Sequence, residues 1–198
     1  MDTKSPAAAD PAPLLARGRS IPLELERVRL RRIERSDVEA LFAMYANADV
    51  SRYLSYPPWT ERSQAVAWIE RVFAGYGRGS ALQLAVERRE DEVMIGSCTL
   101  FNCHEESRRA EIGYALHRAY WGRGYMHEAL VGLIGMAFNE LNLNRIEADI
   151  DPRNKGSRRS LERLGFRSEG LLRERWIVAG ETSDTEMLGL LRREWSGK

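Results

Sequence analysis

The chain has 198 residues, 43% apolar and 30% charged, with 30 Lys and Arg against 29 acidic residues for a formal charge of +1. That length suits one soluble domain with a real core, and so even a balance argues against a main task of coating nucleic acid or an anionic membrane. The longest strongly apolar stretch, Ala129 to Phe138, falls far short of the roughly 20 residues a membrane span needs.

Met1 to Ser20 lacks the contiguous apolar core of a secretory signal. It holds Pro6, Pro11, Pro13 and five alanines, the composition of a flexible leader over residues 1–22. The ordered domain is expected over residues 23–195. Val28 and Leu30 alternate with Arg27, Arg29 and Arg31, the period of a half-exposed strand. Ser36 and Glu39 have capping-box spacing and open a helix with Val38, Leu41, Phe42 and Tyr45 on one face. After Pro57-Pro58-Trp59, Thr60 is placed to cap a second helix bearing Val66, Ile69, Val72 and Phe73. Gly75-Tyr76-Gly77-Arg78-Gly79 follows that helix rather than preceding one, so it reads as a helix stop and turn.

Two strands come next, one over Leu82, Leu84 and Val86 and one from Val93 to Phe101, joined by the charged turn Arg88 to Glu92 as a hairpin. Cys98 and Cys103 are five apart, an odd separation that points them to opposite faces of an extended segment. Two cysteines are too few for a disulfide scaffold or a four-ligand zinc site, which suits reduced thiols in a cytoplasmic protein. His104, His117 and His127 have no metal-ligand spacing. Ala110 to Leu116 is a strand, and Gly124 to Leu141 a helix burying Met126, Leu130, Leu133, Ile134 and Ala137. Arg145 to Ile150 is a strand, Asn154 to Leu164 a loop entering a helix, and Phe166 onward and Thr182 to Leu191 the last two strands. The order β–α–α–β–β–β–α–β–α–β–β is a mixed α/β domain.

Tyr120-Trp121-Gly122-Arg123-Gly124-Tyr125-Met126 lies between a strand and a helix. Glycines let the backbone bend tightly and approach a ligand, and the free amides of a helix start suit phosphate oxygens. A dinucleotide fingerprint would need glycine where His127 stands, and a Walker loop needs a Gly-Lys-Ser/Thr end. On this spacing alone a purely structural turn stays open.

The stretch Ala110-Glu111-Ile112-Gly113-Tyr114 with Trp121-Gly122-Arg123-Gly124-Tyr125-Met126-His127-Glu128-Ala129 resembles the acetyl-CoA signature of the GNAT N-acetyltransferase superfamily. Within it the RimJ/RimL branch, which acetylates protein N-termini, is most similar. Asn154-Lys155-Gly156-Ser157, Leu164-Gly165-Phe166 and Glu169-Gly170 resemble that branch's second signature, so the resemblance runs from about Leu25 to Leu191. It implies a single GNAT domain, a mixed and mostly antiparallel sheet flanked by helices. It also implies acetyl-CoA as donor, an amine acceptor, direct transfer in a ternary complex, no metal, no direct nucleic-acid or membrane partner, and either a monomer or a homodimer. The cofactor is expected on Tyr114, Leu116, Trp121, Gly122, Arg123, Gly124, Tyr125, Met126 and Asn154, wedged between the Glu111 strand and the strand after it. The family loop often begins with Gln or Arg where Ala119 stands and is preceded by proline where Arg118 stands; a phosphate contact and a solvated surface charge are both open to Arg118 and Arg123.

An alkyl amine is protonated at neutral pH, so its proton must be taken by a carboxylate or a water chain. Glu111, in a predicted inner strand among apolar neighbours, is the expected base. An amine anchor and a partner for Arg108 or Arg109 are the other roles open to it. Asp149 is the rival, and Glu147 shares its face. The resemblance places Ser157 near the CoA sulfur as proton donor, while serine at a helix start also fits an N-cap. Other branches use a tyrosine seven residues after the asparagine, where this chain has Leu161. A backbone amide near Tyr114 to Leu116 is expected to polarise the thioester carbonyl. Tyr53, Tyr56 and Trp59 suit either an acceptor wall or plain core packing. The expected acceptor is a protein N-terminal α-amine of ribosomal-protein type. The alternatives are a small amine, such as a polyamine, or acetyl-CoA sensing without turnover. A polycation would favour a clustered acidic pocket, and no acid run precedes Glu90.

Overall fold

The computed structural model describes Leu15 and residues 21–197. Eight strands form one sheet: β1 (Leu23–Glu24), β2 (Val28–Arg32), β3 (Ala81–Arg88), β4 (Val93–His104), β5 (Arg109–Leu116), β6 (Arg145–Ile150), β7 (Arg167–Val178) and β8 (Glu181–Leu191). Their order is β1-β2-β3-β4-β5-β6-β8-β7. Among the described residues only β5 and β6 pair in parallel, because a helix rather than a hairpin turn connects them. The helices are α1 (Val38–Tyr45), α2 (Ala48–Ser51), α3 (Arg62–Arg78), α4 (Tyr125–Asn139) and α5 (Lys155–Arg163). Against the expected order, the two-residue β1 and the one-turn α2 are additions. No helix among the described residues is long and apolar enough to cross a membrane.

Strand alternation divides the buried residues between two clusters. Leu84 and Val86 face one cluster with Leu130, Leu133 and Ile134 of α4 and Leu161 of α5. Ala85 faces the other, with Leu41 of α1, Ile69 of α3 and Ala115 of β5. Neighbouring positions on one strand thus hold helices on both faces of the sheet. Trp59, 7% exposed, packs in the second cluster with its ring 4.7 Å from Tyr45. That decides its open role in favour of the core.

Local details correct the expected caps. Ser36 lies inside a 3-10 turn over Arg35–Asp37, one position too early for a box with Glu39. Asp37 does that work instead: it accepts the Glu34 N–H at 2.8 Å while Arg31 holds the same carboxylate at 2.9 and 2.7 Å. Being buried, Asp37 requires those donors. Glu61, not Thr60, caps α3 in a box with Gln64, and Val66 turns out of the core at 39% exposed while Ala65 takes its place. The glycine run ends the helix later than expected: Gly75 to Arg78 belong to α3, and Gly79, left-handed at φ 63, is the stop. The expected boundary at residue 22 is crossed by Leu15, which is 2% exposed in the first cluster. The rest of the expected leader, apart from Ile21 and Pro22, lies outside the described residues.

Candidate active site

β5 and β6 stay paired for three positions, Arg109 with Arg145, Ala110 with Ile146 and Glu111 with Glu147. Beyond Glu111 each strand follows its antiparallel neighbour. β5 remains on β4 as far as the Leu116 and Gly96 pair, and β6 remains on β8 as far as the Ile150 and Glu186 pair. Parallel pairing is slightly weaker per residue, so the two antiparallel ladders decide, and the sheet splits. Every second main-chain N–H and C=O of β5 past Glu111 then faces the gap instead of a partner strand.

The gap leads into a cavity of about 440 Å³. Ile112, Gly113 and Tyr114 of β5 form one wall and Ala148, Asp149 and Ile150 of β6 the other. Ser157 and Leu161 of α5, Tyr53 and Tyr56 from the loop after α2, and Trp176 and Val178 of β7 complete it. Packing around Gly113 is close, since a Cβ there would stand 3.2 Å from Thr99 Cγ2 and 3.4 Å from Phe101 Cε1.

Asn154 is the N-cap of α5, its Oδ1 accepting the Ser157 N–H at 3.0 Å. Ser157 therefore does not cap, and its hydroxyl is turned to Tyr114 instead, with 2.8 Å between the two oxygens. Burial pushes the Tyr114 phenol up to about 12, with the Ser157 bond acting in the opposite sense, so the phenol keeps its proton at neutral pH. The Tyr114 hydroxyl was not foreseen beside Ser157. Nothing local in the sequence joins residues 43 apart. Leu161, where other branches have tyrosine, is fully buried.

The three candidate carboxylates separate by environment. Glu147 is bound by Arg109 at 2.9 Å and Arg145 at 2.8 Å. Glu111 sits at the last paired position, and its Oε1 accepts from Asn102 Nδ2 at 3.0 Å. Its carboxylate is outside the lining of the cavity, and Arg109 pairs with Glu147 rather than with it. Asp149 lines the cavity, with Arg175 Nε 3.9 Å from its Oδ2. A half-exposed pair at that distance is worth about 1 kcal/mol at most.

Arg175 reaches this place through an irregularity of β7. The β7–β8 register shifts between Leu172 and Trp176, Glu174 takes φ 51, and its N–H donates to Asp184 Oδ1 at 2.8 Å. A bulge of this kind re-aims side chains. Four carboxylates line the cavity, Asp149, Asp151, Glu181 and Asp184, against the guanidiniums of Arg52 and Arg153. The Arg153 guanidinium holds Asp151 below the usual carboxylate range. The acidic pocket that no run of residues announced is assembled from β6, the loop after it and the β7–β8 hairpin.

Past the end of β5, outside the residues that line the cavity, Gly122 and Gly124 take φ 73 and φ 81, and Gly124 is the N-cap of α4. A Cβ on Gly122 would meet nothing within 4 Å, so the turn leaves open space above it. The first helical bond of α4 is Glu128 N–H to the Gly124 carbonyl at 3.1 Å. The N–H groups of Gly124 to His127 precede it and have no i−4 partner within the helix. Trp121, Gly122, Arg123 and Gly124 are all exposed. Such a cradle fits a pyrophosphate. Trp121 Nε1 donates to the Leu116 carbonyl at 2.7 Å, tying the turn to the end of β5. Tyr125 lies beneath Arg27, and Met126 buries its side chain in the first cluster. Arg118 lies over the Trp121 ring and near Asp49, and Arg123 stands 6.0 Å from the Tyr120 ring.

Residues 27–167 match the family model described as an acetyltransferase (GNAT) domain. The N-acetyltransferase p20 of Bacillus licheniformis, described as uncharacterized, is 38% identical over 175 residues, 88% of this chain and 98% of its own length. The ribosomal protein uS5-alanine N-acetyltransferase of Escherichia coli is 29% identical over 120 residues, 60% of this chain and 62% of its own. Among solved structures, Mycobacterium smegmatis RimJ in complex with CoA-disulfide has a TM-score of 0.76 at 26% identity, covering 84% of this chain and 83% of that one. A spermidine N-acetyltransferase from Vibrio cholerae, in complex with CoA and spermine, shares the fold at a TM-score of 0.75 and 20% identity, over 85% of this chain and 97% of that one.

Proposed function

The chain belongs to the GNAT acetyltransferase family, and on that premise we propose that it acetylates the N-terminal α-amine of a polypeptide. The family membership makes it an acetyl-CoA-dependent N-acetyltransferase. The observation that carries the catalytic reading is the sheet split itself, with Asp149 on the β6 wall and the Ser157–Tyr114 pair on the other side of the same cavity.

The amides from Gly122 to Met126 would hold the pyrophosphate, and Asn154 and the open edge of β5 would line the path of the pantetheine arm. When bound, acetyl-CoA supplies the thioester. Asp149 takes the proton of the entering ammonium, so that the amine attacks as a neutral nucleophile. The gap-facing amides of β5 near Tyr114 to Leu116 polarise the carbonyl oxygen. Ser157 Oγ passes a proton to the leaving sulfur and receives in exchange the second proton that the attacking nitrogen loses as the amide forms, while the Tyr114 hydroxyl, 2.8 Å away, holds the serine in place. Glu111, at the foot of the split, acts only if water carries the proton to it.

The polypeptide acceptor is supported by the uS5-alanine acetyltransferase among the relatives and by the openness of β7. That strand is at the sheet edge and exposed along its length except at Val178, leaving room for a chain to run out from the cavity. The four lining carboxylates favour a second reading, a small polyamine. A thiol-release assay with acetyl-CoA separates the two: kcat/KM is expected to be higher for peptides with free N-termini than for spermidine. A preference for spermidine would overturn the polypeptide reading. CoA binding without release on any acceptor would overturn turnover altogether.

A further inference from the structure

We propose that Arg27 is a positioning residue of the phosphate turn, acting from the opposite end of the domain sequence; this rests on the assignment of Gly122 to Met126 made above. Arg27 precedes β2 and lies 96 positions from Arg123, yet its Nη1 donates to the Arg123 carbonyl at 3.0 Å. Its Nε donates to Glu128 Oε2 at 2.8 Å. The main-chain N–H groups of Arg27 and Val28 donate to Glu128 Oε1 at 2.6 and 3.2 Å. The guanidinium carbon is 5.0 Å from the centre of the Tyr125 ring. Nη2 stands 3.3 Å from the place a Cβ on Gly124 would occupy.

Two physical consequences follow. A peptide unit is planar, so its C=O and N–H point in opposite directions. By drawing the Arg123 carbonyl inward, Arg27 turns the Gly124 N–H of the same peptide outward, toward the open side of the turn. Without that bond the peptide between two left-handed glycine positions has little else to fix its rotation. The second consequence concerns charge. Glu128 is in the first turn of α4, where a carboxylate suits the helix dipole but opposes an approaching phosphate. Arg27 supplies three N–H donors to this corner and Val28 one, around a Glu128 side chain only 16% exposed. Those on Glu128 occupy its oxygens, and the guanidinium balances its charge. The side chain thus prepares the turn rather than serving as the phosphate ligand.

The test compares kcat/KM for acetyl-CoA and for S-acetyl-pantetheine, which lacks the pyrophosphate, with one acceptor in wild type, Arg27→Met, Arg27→Lys and Gly122→Val. Arg27→Met is expected to reduce the advantage of acetyl-CoA over S-acetyl-pantetheine about tenfold, the scale of one charge-assisted hydrogen bond, through KM for acetyl-CoA rather than kcat. Arg27→Lys keeps the charge but cannot reach both Glu128 and the Arg123 carbonyl, and should fall between; it carries the test if the Met variant does not fold. Equal losses on both donors, or an unchanged ratio, would overturn the role of Arg27. A ratio unchanged in Gly122→Val as well would instead overturn the turn's assignment to the pyrophosphate.

Discussion

The glycine turn before α4 and the acid-lined cavity present polar groups by different means. At the α4 end the groups offered are main-chain amides, freed by two left-handed glycines and the start of a helix. At the hairpin end they are side chains, Asp149, Asp151, Glu181 and Asp184, brought in from separated segments. A main-chain cradle depends on the absence of Cβ atoms and tolerates changes in neighbouring side chains. A side-chain site depends on strand register, and each carboxylate can be removed by one substitution.

The largest expected effect tests the main-chain end. Gly122→Val places a β-branched residue at φ 73 and fills the open side, so CoA affinity should fall roughly a hundredfold or more. Titration calorimetry reads this, with circular dichroism showing the fold retained; unchanged affinity would remove the contrast. At the other end, Asp149→Asn should lower kcat about a hundredfold, the low side of general-base effects, while KM for acetyl-CoA stays put. Glu111→Gln should lose less than about threefold, and the reverse ranking would return the base to Glu111.

Ser157→Ala should reduce kcat about tenfold, and Tyr114→Phe less, because the serine is the proposed donor and the tyrosine holds it in place. Steady-state rates measured at saturating donor decide the order, and a larger loss in Tyr114→Phe would make the phenol the acid. The smallest effect is on stability. Burial pushes the Tyr114 phenol up from 10.0 and the Cys98 thiol up from 9.0, both to about 12. The unfolded chain releases these protons first, so their contribution is complete below about pH 9 and is lost as pH rises toward 12. Urea midpoints should fall between about pH 9 and about pH 11, less steeply in Cys98→Ala. A flat midpoint would contradict it.

The same contrast explains what could be read in advance. Gly122 and Gly124 were legible because strand, glycines and helix are contiguous and the chemistry is that of the backbone. Asn154 and Ser157 were legible as a pair, but not which of them caps α5; that followed from Ser157 facing Tyr114 across the gap. Ser36 and Glu39 had the spacing of a box, and lost to Asp37 because Arg31 of β2 holds Asp37 in place. Arg27 carried no signal at all, since an arginine alternating with apolar residues reads as the solvent face of a strand.

By itself, the sequence determined most of the order of elements, the fold family, the donor and the presence of a glycine turn before α4. These rest on periodicity and on glycine's missing Cβ, which act over a few residues. Tertiary structure decided which carboxylate faces the cavity, that four acids converge there, and that Arg27 holds the turn from across the sheet. Those depend on where β5 and β6 stop pairing and on the irregular register of β7, and strand register is set by packing between segments far apart in the chain.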